Sequence, residues 1–132
     1  MNAGPALDGI RVLMVDDLED MTAPLAEILT MFGATVLVEA SAGAALATLK
    51  RERPDVLLSD ISMPEHDGFW LIAQVRSLPE ADGGATPAAA LTGKVLANDR
   101  AQVLRAGFQY HVPKPVDPDH LAGIVALLAL KQ

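Results

Sequence analysis

The 132-residue chain has no cysteine. That excludes a disulfide framework, a thiolate metal site and a cysteine nucleophile. Basic runs are missing as well. The densest cluster, Lys50-Arg51-Glu52-Arg53, is diluted by its own glutamate, and the formal net charge is −7. A nucleic-acid surface needs a basic patch, so nucleic acid is not an expected partner. No apolar run approaches the ~20 residues of a membrane-spanning helix, and the first residues show no basic segment leading into an apolar one, so no signal peptide is read. The expectation is a cytoplasmic domain that makes no use of a membrane. A glycine-rich phosphate loop is absent after the first apolar segment. Asp16-Asp17-Leu18-Glu19 stands there instead, and its acidity speaks against a nucleotide- or flavin-binding module.

What the chain does have is apolar residue, 51% of the total, enough to argue against disorder. The length suits one domain, which buries roughly two-thirds of its unfolded surface. Residues 1–9 read as a leader broken by Gly4, Pro5 and Gly9, and the domain as 10–132. Ile10–Val15 is a first buried strand, ending directly in Asp16 and Asp17. Residues from about Asp20 to Phe32 place Leu25, Ile28, Leu29 and Phe32 at helical spacing, with Asp20 as a candidate cap, Pro24 near the first turn and Gly33 at the C-terminus. Thr35–Glu39 is a second strand. Ser41 caps a helix that runs to Arg51 and stops before Pro54.

Val56–Ser59 forms the third strand and ends at Asp60, with Pro64 and Gly68 closing the segment. A helix carrying Leu71, Ile72, Val75 and Leu78 follows, then a breaker-rich loop over 79–87. Ala88–Leu91 is a small-residue strand ending at Thr92. A helix over Ala97–Ala106 stops at Gly107. Tyr110–Pro113 is a short strand whose proline suits a sheet edge, and it leads into Lys114-Pro115. The last helix, from about Asp117 to Leu130, has Pro118 at its first position. Strand and helix alternate five times, which predicts a parallel sheet covered on both faces. With right-handed crossovers, the expected fold is α/β, doubly wound and flavodoxin-like, with strand order 2-1-3-4-5.

That topology collects one group of polar residues at the C-terminal strand ends: Asp16, Asp17, Asp60, Thr92 and Lys114. Three carboxylates in one crevice need compensation. A hard divalent cation supplies it, and Mg²⁺ takes carboxylates together with waters and phosphate oxygens. Lys114 can pair with a carboxylate or a phosphoryl oxygen, and Thr92 offers a hydroxyl. A carboxylate can attack phosphorus to give an aspartyl phosphate, and phosphoryl transfer needs mainly in-line positioning and charge neutralisation.

The sequence resembles the response-regulator receiver domain of two-component signalling over about residues 10–130. The matching pieces are Val15-Asp16-Asp17, Leu58-Ser59-Asp60-Ile61-Ser62-Met63-Pro64 with Gly68, Leu91-Thr92-Gly93, and Ala106-Gly107 before Lys114-Pro115-Val116. The resemblance implies roles. Asp60 matches the phosphoacceptor. Asp16 and Asp17 match the acidic pair that holds Mg²⁺ together with Asp60 and the Ser62 backbone carbonyl. Lys114 matches the lysine that contacts the phosphoryl group, and Thr92 the switch hydroxyl. The donor implied is a sensor histidine kinase or a phosphotransfer domain. The protein is then not a turnover enzyme but catalyses its own phosphorylation and dephosphorylation.

Two departures stand out. The family often has an aromatic residue three places before the lysine, where this chain has His111, as receivers attached to hybrid sensor kinases do. Two places past Thr92 stands Lys94, a long cation expected to tune dephosphorylation. The last helix carries more apolar residues than one buried stripe needs, so a homodimer surface is expected on the face of helix 4, strand 5 and helix 5.

Rival readings share parts of this pattern. A phosphorylation-independent interaction module would have the same fold without a complete acidic, hydroxyl and lysine set. A phosphatase of related chemistry would want an aspartate two residues past the nucleophile, where Ser62 stands. No DNA-binding output domain is expected within these 132 residues.

Overall fold

Each short apolar run must be covered on both sides, because successive residues of a strand face opposite ways. The computed structural model describes residues 6–93 and 97–130. Among them, five strands lie side by side and parallel: β1 (Arg11–Val15), β2 (Thr35–Glu39), β3 (Val56–Asp60), β4 (Ala88–Thr92) and β5 (Tyr110–Pro113). Their order is β2-β1-β3-β4-β5, the doubly wound, flavodoxin-like arrangement expected, with Pro113 on an edge strand. The helices between them are α1 (Glu19–Met31), α2 (Ala42–Glu52), α3 (Gly68–Arg76), α4 (Ala97–Ala106) and α5 (Pro118–Ala129).

The alternation divides the core in two. Val12, Met14, Leu58, Leu91 and Val112 pack with Leu29 of α1 and Leu121 and Leu128 of α5. Leu13, Val15, Leu57 and Ala90 pack with Leu49, Leu71, Ile72 and Val103 of the other three helices. The middle strand, β3, is buried along its whole length.

Local chemistry starts the helices. The Ser41 hydroxyl accepts the Ala44 N–H, and the Asp67 carboxylate accepts the Trp70 N–H. Asp117 caps α5, with Pro118 first in the helix. Three expectations need correction. Asp20 does not cap α1, because the helix has already begun at Glu19 and Leu18 holds the cap position without a side-chain bond. The turn is drawn back instead by Asp16, whose carboxylate accepts the Leu18 N–H at 3.0 Å. Pro24 stands beyond the first turn, where its missing N–H leaves the Asp20 carbonyl without a helical donor. Residues 1–9 are not simply a leader. Leu7 is completely buried, packs into the α1–α5 core and donates its N–H to the Phe32 carbonyl.

Parallel strands share one polarity, so all their carboxyl ends open on one rim. The chain winds from β1 to β2 in one direction and from β3 onward in the other. The crevice between β1 and β3 is therefore the switch point at which such sheets bind ligands.

Candidate functional site

Asp60 is the last residue of β3, Thr92 the last of β4, and Asp16 and Lys114 directly follow β1 and β5. Buried strands thus deliver polar side chains to the rim, and the side chains inherit the burial. Asp16 is 3% exposed and Asp60 5%. The Lys114 ammonium lies between them, 3.2 Å from Asp16 Oδ2 and 3.3 Å from Asp60 Oδ1. It thereby joins residues from opposite ends of the chain. Asp60 also accepts the N–H of Ile61 at 2.8 Å.

One lysine does not balance this set. Burial pushes the Asp60 carboxyl above its ordinary range, and the charge of Asp16 adds to the shift against the opposing pull of Lys114. Burial pulls Lys114 down, but the charges of Asp60 and Asp16 and its bonds to both outweigh that, and its affinity for the proton rises. Asp16, Asp17 and Asp60 each offer a carboxylate oxygen, all within 4.8 Å of one another. An all-carboxylate donor set at a site short of positive charge is the ligand class of a hard divalent cation such as Mg²⁺. The residues present fit that ion.

Thr92 and Asp60 border one cavity of about 290 Å³, with Ser62, Asp67 and Gln102. Ser62 is exposed there. The Thr92 hydroxyl lies 2.7 Å from Nε2 of His111, which is half-buried on β5. Lys94 lies outside the described residues. All the other predicted site residues meet on this rim.

Some participants had no signal in the sequence. The backbone N–H groups of Leu18 and Ile61 hold the two carboxylates whatever their side chains are. Gln102 reaches the cavity only because α4 packs against β5 and α3. Gly68 is essential through proximity: a Cβ there would fall 2.5 Å from the carbonyl oxygen of Asp60.

Comparison with known proteins agrees with this geometry. The family model described as response regulator receiver domain matches residues 12–126. An uncharacterised 14.6 kDa protein of Leptolyngbya boryana is 46% identical over 114 residues, covering 86% of each chain. Hybrid signal transduction histidine kinase D of Dictyostelium discoideum is 34% identical over 131 residues, 95% of this chain but 8% of that protein. The structure of Vibrio cholerae chemotaxis protein CheY4 superposes with a TM-score of 0.83 at 27% identity, covering 90% of this chain and 98% of that one. A buried carboxylate at the switch point, an acidic pair beside it and a lysine at hand, on a chain matched by the family model over residues 12–126, place this protein in the response regulator receiver domain family of two-component signalling.

Proposed function

We propose that Asp60 accepts a phosphoryl group from a phosphohistidine on a sensor histidine kinase or a phosphotransfer domain. The observation that carries this reading is the lysine bridge: Lys114 stands 3.2 and 3.3 Å from carboxylates on two different strands. A carboxylate oxygen of Asp60 attacks phosphorus, the N–P bond breaks, and the donor imidazole leaves with the electron pair and takes up a proton. Asp16, Asp17, Asp60 and the Ser62 carbonyl would hold Mg²⁺, which when bound neutralises carboxylate and phosphoryl charge. Lys114 orients the transferred group by pairing with one of its oxygens, and Thr92 donates its hydroxyl to another.

The product carries a charge near −2 in place of −1. Drawing Thr92 and Lys114 inward then biases the β4–α4–β5 face between two arrangements. Attack of water on the same phosphorus restores Asp60, so the signal decays. Lys94 tunes that decay by attracting or shielding the water, and Lys94→Ala is expected to change the phosphoryl lifetime. A surface for self-association runs along β5 and α5. Leu127 is 48% exposed and Leu130 81%, and with Tyr110 and Ile124 they border a shallow groove of about 600 Å³. The domain acts in the cytoplasm, where such kinases present their phosphohistidine.

The test is intact mass after incubation with Mg²⁺ and acetyl phosphate. One added phosphoryl group is expected, lost in Asp60→Asn and without Mg²⁺. A wild-type protein that shows no adduct and also fails to bind beryllofluoride would be an interaction module that works without phosphorylation.

A further inference from the structure

The chain leaves β3 at Asp60 and enters α3 at Gly68. Residues 61–67 between them form a loop closed at its base, where the Gly68 N–H donates to the Ile61 carbonyl at 2.7 Å. Ile61 and Met63 pack on the core beneath α3. Ser62, between them, is exposed and borders the cavity beside Asp60. The tip of the loop turns more sharply. The His66 N–H donates to the Pro64 carbonyl at 2.8 Å across Glu65, whose φ is 70°. So tight a turn with positive φ is strained for a residue that carries a side chain.

A strained tip must be held down. The turn carries the His66 ring back over the start of α3, where it stacks on Trp70. The ring centroids are 3.8 Å apart and the planes 12° from parallel. Trp70 is half-buried and packs on the same core as Ile61 and Met63, and the Asp67 carboxylate accepts its N–H at 2.8 Å. The indole is a fixed plate, and the exposed His66 ring is laid on it. We infer that His66 is a positioning residue: its stack on Trp70 clamps the β3–α3 loop and so keeps the Ser62 backbone carbonyl at the acidic rim, in place for Mg²⁺.

The clamp rests on the proposed role of Asp16, Asp17, Asp60 and the Ser62 carbonyl as the Mg²⁺ site. The three carboxylates stand at strand ends, which the sheet fixes. Ser62 lies past the end of β3 and has only its loop to hold it. A site that needs one loop carbonyl loses affinity in proportion to the time the loop spends out of place. The stack keeps that time short. Linkage makes the effect reciprocal, so an ion that requires the clamped loop also tightens the clamp.

The experiment measures Mg²⁺ affinity of the full chain by isothermal titration calorimetry. His66→Ser removes the ring from an exposed position, and is expected to weaken Mg²⁺ binding roughly two- to tenfold, the range that one ring pair contributes. His66→Phe keeps a flat ring over Trp70 and is expected to bind like wild type. A merely structural role would lower the stability of His66→Ser in urea and leave its Mg²⁺ affinity unchanged. The wild-type protein gives a reading that needs no variant: solvent exchange of the His66 amide hydrogen, bonded to Pro64, should slow when Mg²⁺ saturates the site. His66→Ser that binds Mg²⁺ as tightly as wild type, His66→Phe that binds as weakly as His66→Ser, or an unchanged exchange rate at the His66 amide would each overturn the clamp alone. Wild-type protein that binds no Mg²⁺ at millimolar concentration would overturn the metal site beneath it.

Discussion

The two rims of this sheet treat buried charge in opposite ways. At the amino-terminal rim, Arg76 at the end of α3 is held by neutral acceptors. Its guanidinium donates to the carbonyls of Gly84 and Thr86 at 2.9 and 2.8 Å and to that of Gly107 at 3.1 and 2.8 Å. The acceptors are backbone groups that would otherwise lie part-buried without donors, so cation and carbonyls complete one another. At the carboxyl-terminal rim, among the described residues, three carboxylates gather near one lysine, which pairs with two of them. Arginine with its fixed fork of donors suits a closed network; a single ammonium beneath two carboxylates leaves acceptors over. The completed rim joins α3, the loop before β4 and the α4–β5 turn. The incomplete rim is where a cation and a phosphoryl group find their partners.

Breaking each rim should separate these roles. Arg76→Met strands the carbonyls of three loop residues, and is expected to cost about 3 kcal/mol by urea denaturation. Mg²⁺ should not recover that loss. Lys114→Met leaves Asp16 and Asp60 facing each other without compensation, and is expected to cost about 2 kcal/mol. Here Mg²⁺ should restore much of the stability, because a bound ligand adds to it by mass action. A Lys114→Met protein that Mg²⁺ does not stabilise would remove the contrast between the rims.

Asp60→Asn should move stability the other way. The folded state raises the Asp60 pKa above its unfolded value, so at neutral pH folding bears the cost of an ionised buried carboxylate. Without metal, the asparagine variant should unfold at higher urea than wild type. As pH falls through the raised pKa, wild-type Asp60 takes up its proton and the gap closes. A gap that widened on acidification would mean that Lys114 outweighs burial. The smallest effect belongs to Asp82→Asn, which breaks a surface pair with Arg53 whose side chains are 49% and 50% exposed. Its cost should stay within about 0.5 kcal/mol.

Much of the site was legible because its members end strands. Val56-Leu57-Leu58 can only be a buried segment, and the polarity that follows marks where it emerges. The same logic located Asp16, Thr92 and Lys114. Ser41 was recognisable as a cap because it and the N–H it accepts lie three residues apart. Asp20 misled for a related reason: it has the chemistry of a cap, but Asp16 had already begun the turn through a bond across two residues to Leu18. Leu7 was hidden by the breakers around it, since only the packing of α1 and α5 provides a place to bury it. Nothing local marked Arg76, because its carbonyl partners belong to other segments.

The division has a physical basis. Alternation, helical spacing and capping act over a few residues, so sequence alone determined the strands, most of the helix limits and the polar residue types that gather at one rim. Lys114 and Asp16 are 98 residues apart, and Thr92 and His111 are 19 apart. No local preference brings such pairs together. Strand order puts β1 and β4 on either side of β3, and β5 beyond β4. Tertiary structure alone therefore decided which carboxylates the lysine bridges and which ring holds the threonine.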